Sequence, residues 1–104
     1  MSQSPKDRDA LIVDLQASMD LAEWKLLMPH LNRDALVVVA PGLDLLEAGL
    51  AVAQDEVQTI QGWLSQNRLA KPSAAQIETW NESPDRKFRI LIVQPYVLIQ
   101  EIIQ

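Results

Sequence analysis

The stretch "FRILIVQPYVLIQEII" (Phe88–Ile103) decides how the rest of the chain is read. Ten of its sixteen residues are Phe, Ile, Leu or Val, and Tyr96 adds an aromatic ring, so something must bury it. Phe88 to Val93 reads as a strand with no polar alternation, the pattern of a strand covered on both faces. Gln94-Pro95 interrupts it, because proline has no N–H to give to a ladder. Tyr96 to Ile103 is open between two readings. Val97, Ile99, Ile102 and Ile103 favour strand, whereas Tyr96, Ile99 and Ile103, at i, i+3 and i+7, suit a helix begun by Pro95. Strand is preferred.

Working upstream, "ALVVVA" (Ala35–Ala40) is short, β-branched and closed by Pro41-Gly42, and reads as a second strand buried on both faces. Helical signals fill the remainder. Ser4-Pro5-Lys6-Asp7 is a helix start, with a cap, a proline at the first turn and an acid for the dipole. Leu11, Ile12, Leu15 and Met19 follow as an apolar stripe. Asp20-Leu21-Ala22-Glu23 has the spacing of a capping box, ahead of Trp24, Leu27, Met28 and Leu31. Pro29 should end or kink that helix. From Leu43 to Gln66, Leu46, Leu50, Ala53, Val57, Ile60 and Leu64 recur every three or four residues. Asp55-Glu56-Val57-Gln58 inside this run reads as a cap, which divides it into two consecutive helices. Ser73 and Gln76 form a capping box for a short helix whose Ile77 and Trp80 face inward. Trp24, Trp63 and Trp80 all fall on apolar faces, where core packing accounts for them.

The expectation is one domain, residues 1–104, with residues 1–3 disordered. Its fold class is α+β (βαβ-like): a small two- to three-stranded sheet covered by four to five short helices as a single layer pair. If the strands at 35–40 and 88–93 are parallel neighbours, the helices between them form a right-handed crossover.

Composition excludes several functions. The 104 residues are 48% hydrophobic and 22% charged, which is globular composition. There is no cysteine, so disulfides, thiolate catalysis and cysteine metal sites are absent. The formal net charge of −5, without a polybasic stripe, argues against nucleic-acid binding. No apolar run reaches the ~20 residues of a membrane span. The charged N-terminal stretch lacks a signal-like apolar region, so the expected setting is cytoplasmic.

The quoted segments "EWKLLMPHLNRDALVVV", "LDLLEAGLAVAQDEVQTIQGWL", "KPSAAQIETW" and "LIVQPYVLIQE" together resemble a bacterial family of small proteins, domain of unknown function 2288. The likeness runs from about Leu15 to Glu101, and its more specific pieces are Pro-His-x-x-Arg-Asp and the "VQPYVLIQE" ending. The resemblance implies a cytoplasmic protein of cyanobacteria and other Gram-negative bacteria. It carries across no catalytic residue, because the family has no assigned activity.

Chemistry-bearing residues are few. His30, Arg33 and Asp34 lie together, and on a continuing helix His30 and Asp34 would share a face, as a general base and its orienting acid do. The sequence offers no nucleophile for them, and the competing reading is helix termination at His30 or Asp34 with Arg33 in an ion pair. Arg33 could also grip an anionic group, with Asp55 a further ligand-binding candidate. Asp44, Glu47, Asp55 and Glu56 lack the spacing of a calcium loop and are expected near helix starts instead. No metal or cofactor is expected. Gly42 precedes a helix start, without a phosphate-loop motif.

Two strands lacking alternation need cover on both faces, and short helices in a small chain can leave one face bare. A homodimer burying Tyr96, Leu98, Ile102 and Ile103 would cover it. The expected function is therefore a non-enzymatic interaction or regulatory module, homodimeric, with a protein partner not identified by the sequence. The alternative is a small-molecule (anionic ligand) binding protein, or a modest enzyme, with its site around His30, Arg33 and Asp34.

Overall fold

In the computed structural model, residues 5–102 are described. They form α1 (Pro5–Ser18), β1 (Asp20–Glu23), α2 (Trp24–Asn32), β2 (Leu36–Val39), α3 (Leu45–Ala53), α4 (Val57–Ser65), β3 (Leu69–Ala70), α5 (Ala74–Asn81), β4 (Lys87–Val93) and β5 (Tyr96–Glu101). The five strands make one mixed sheet in the order β1-β4-β5-β2-β3. β5 pairs antiparallel with β4 and parallel with β2, while β1 and β3 are the antiparallel edges.

This order explains the apolar stretch that opened the sequence. β5 is the central strand, with Leu98 and Ile99 fully buried and Val97 nearly so. The segment is strand rather than helix, and Gln94-Pro95, a cis peptide, forms the tip of the β4–β5 hairpin.

The sheet has five strands, not two or three. β1 arises where a helix cap was expected: Asp20–Glu23 pairs with β4, and the helix begins only at Trp24. β3 is two residues long and follows a helix with no turn signal of its own. β2 and β4 are not neighbours, because β5 lies between them.

Alternation along the strands divides the core in two. Val37, Val39, Leu69, Leu91, Val93 and Leu98 point to a layer of α1, α3 and α4, through Leu15, Leu45, Ala48 and Leu50. Leu36, Val38, Phe88, Ile90, Val97 and Ile99 point to a layer of α2 and α5. The architecture is thus three layers, and the described helices cover most of both sheet faces, with Ile92 on the α2–α5 face left 45% exposed.

On the α2–α5 face, Trp24, Trp80 and Phe88 pack with ring centroids 4.9 to 5.8 Å apart. Each indole N–H is satisfied: Trp24 donates to Asn81 Oδ1 at 2.8 Å and Trp80 to Glu101 Oε1 at 3.0 Å. Trp63 is half-buried against the opposite cluster. α2 does not end at Pro29 but runs on to Asn32, keeping Leu31 packed beside Leu27 and Met28. The capping box at Ser73 and Gln76 is present. The Ser4 cap lies outside the described residues. No helix among them is long and apolar enough to cross a membrane.

Candidate functional site

α4 carries Val57, Ile60, Gln61 and Leu64 at i, i+3, i+4 and i+7, one face of a helix, yet it has no fully buried residue. Ile60 of this stripe packs against the core while Val57 and Leu64 stay half exposed, leaving a groove of about 330 Å³. The floor is Val37 of β2 with Leu69 and Ala70 of β3, and Val52 of α3 closes one side. Tyr96, first residue of β5, stands at the mouth. Val57, Leu64 and Tyr96 remain 50%, 49% and 43% exposed, so the mouth offers apolar surface to whatever enters.

The polar candidates from the sequence go elsewhere. His30 and Arg33 lie at the end of α2, where the Arg33 guanidinium contacts His30 Nδ1. Asp34 does not pair with His30; its carboxylate takes Lys71 Nζ at 2.5 Å. Arg33 and Asp34 are exposed, and His30, Arg33 and Asp34 line neither the groove nor any of four further concavities among the described residues. Asp55 does line the groove, together with Lys71, which the sequence did not single out.

Two of these acids have a backbone role as well. Asp34, Asp55 and Asn67 have φ of 59°, 55° and 59°. Each follows the last turn of a helix and closes it in the same way. At α2, Asp34 N–H donates to Leu31 O and Ala35 N–H to His30 O; at α3, Asp55 to Val52 and Glu56 to Ala51; at α4, Asn67 to Leu64 and Arg68 to Trp63. This is the Schellman closure, with Asp or Asn in the left-handed position that glycine most often holds. Of the four acids weighed as cation ligands, Asp44 caps α3 by accepting from Glu47 N–H at 3.2 Å, and Glu47 lies in its first turn. Glu56 precedes α4. No group of three or more His, Asp or Glu residues suited to a metal ion occurs among the described residues.

The C-terminal interface residues also separate. Leu98 is wholly buried inside the chain. Tyr96 and Ile102 stand at opposite ends of β5, roughly 20 Å apart at strand rise, and Ile103 lies outside the described residues. Of the three that are described, Tyr96 alone lines the groove. Val57, Leu64 and Lys71 are its partners there; the helical stripe of α4 was visible in sequence, but nothing local said it would be left half-covered.

Comparison with known proteins adds a family. The family model described as "Protein of unknown function (DUF2288)" matches residues 10–101. The chain belongs to this family. Among solved structures, the NMR solution structure of PA1075 from Pseudomonas aeruginosa is similar, with 29% sequence identity and a TM-score of 0.78, covering 100% of this chain and 95% of that one. No curated protein matches.

Proposed function

We propose that this DUF2288 protein is a non-enzymatic interaction module that associates with a second copy of itself through the groove between α4 and the sheet. The observation that carries the reading is the mouth of that groove, where Val57, Leu64 and Tyr96 hold about half their surface open beside buried Leu69. Apolar and aromatic side chains clustered in one concavity are what the desolvated centre of an interface uses. The reading as an anionic-ligand site at His30, Arg33 and Asp34 has less support, since those groups pair with close neighbours on an exposed helix end.

The test follows amide chemical shifts as the protein is diluted from millimolar to low micromolar. Association through the groove moves residues 55–64, 70–71 and 96 and leaves 20–23, on the far edge of the sheet, still. Shifts confined to other surfaces, or none at any concentration, contradict the proposal.

A further inference from the structure

The groove's lining is apolar except for Asp55, Gln61 and Lys71. Asp55 stands in the turn between α3 and α4, on the helical wall, and Lys71 directly follows β3, on the strand wall. No ion pair joins them, and Asp55 has no side-chain partner among the described residues. Among the described residues Lys71 pairs with Asp34, and the side chains of that pair are 69% and 72% exposed, so it is weak.

A groove with one acid and one base on opposite walls narrows the choice of occupant. A wholly apolar ligand would shield Asp55 from water without offering it a cation. An acidic segment would satisfy Lys71 alone, and a basic one Asp55 alone. A second copy brings one of each. In a two-fold pairing whose axis runs along the groove, the same patch meets itself with its walls exchanged, so a charge on one wall faces the opposite wall of the other copy.

We propose that Asp55 of each copy pairs with Lys71 of the other, twice across the two-fold axis, and that these reciprocal pairs fix the register in which the apolar mouths meet. This rests on the self-association proposed above. Charges at the rim of an interface contribute register and selectivity more than bulk affinity.

Mixing two singly reversed variants separates this arrangement from any effect inside one chain. Sedimentation velocity of Lys71→Glu alone, and of Asp55→Lys alone, should each show self-association weakened about tenfold, because both contacts turn from attraction to repulsion. An equimolar mixture should recover the wild-type affinity as a heterodimer, since each chain then meets the opposite sign at both contacts. Asp55→Asn keeps the left-handed turn and removes only the charge; it should weaken association a few-fold. A mixture no tighter than its components, or single reversals that associate like wild type, overturns the charge register while leaving the dimer in place. A wild-type protein that stays monomeric overturns the dimer and the register with it.

Discussion

Gly49, in the middle of α3, faces Leu91 across the interface with the sheet. A Cβ built there collides with Leu91 Cδ2, is tight against Leu91 Cγ at 3.3 Å and merely touches Val93 Cγ2 at 3.5 Å, and Leu91 is itself fully buried. Gly49→Ala gains about 1 kcal/mol of helix propensity but overpacks a close contact at about 1–3 kcal/mol. A net loss of stability is expected in urea unfolding. Gln100 is the opposite case, a buried amide whose Nε2 donates to Ala40 O at 2.9 Å and Leu43 O at 2.6 Å. Gln100→Leu leaves both carbonyls without this donor and should cost about 2–4 kcal/mol. At the surface, Lys25 donates to Asp85 at 3.0 Å, tying the start of α2 to the turn before β4. That hydrogen bond, then the charges of Asp85 and Glu23, raise the lysine pKa above its ordinary value. The stabilisation is therefore full below the ordinary lysine range and is lost as pH rises through the folded value. The stability gap between wild type and Lys25→Met should close above the lysine range, and a gap that persists there assigns the effect to packing.

The helices show how far local pattern reaches. Stripes visible in the sequence did become α1, α3, α4 and α5, and the division of residues 43–66 into two helices fell at Asp55, but not through the expected cap: Asp55 closes α3 from the left-handed region, and α4 follows Glu56 without a side-chain cap. β1 was misread because Asp-x-x-Glu spacing satisfies a capping box equally well; what makes Asp20–Glu23 a strand is the exposed edge of β4, some 65 residues away. β3 has too few residues for any period to register. Positive φ was likewise invisible at Asp34, although the reading that the helix terminates there agrees with its place in the closure of α2. This closure is testable at Asn67, the acid-free member of the set. Asn67→Gly should leave stability unchanged within about 0.5 kcal/mol, whereas Asn67→Ala should cost about 1 kcal/mol for the left-handed backbone. Equal stability of the two variants would show that the turn does not need a residue tolerant of positive φ.

For the whole molecule, the apolar C-terminal stretch is explained by topology. β5 enters between β4 and β2, and two helical layers cover it, so its burial requires no second chain. A separate apolar concavity stays open under α4, built from β2, β3, α3, α4 and the first residue of β5. The candidate site was legible only in pieces, since Val57, Leu64, Lys71 and Tyr96 span 40 positions in sequence and meet only once the sheet is ordered. The most direct test of the claim that this groove binds a second copy is absolute mass by light scattering behind a sizing column, over a range of concentrations. The account predicts a rise towards twice the 11.7 kDa chain mass for wild type, and 11.7 kDa throughout for Tyr96→Asp with an unchanged far-UV spectrum. A wild-type mass fixed at 11.7 kDa up to high micromolar concentration, or a Tyr96→Asp protein that dimerises like wild type, would contradict it.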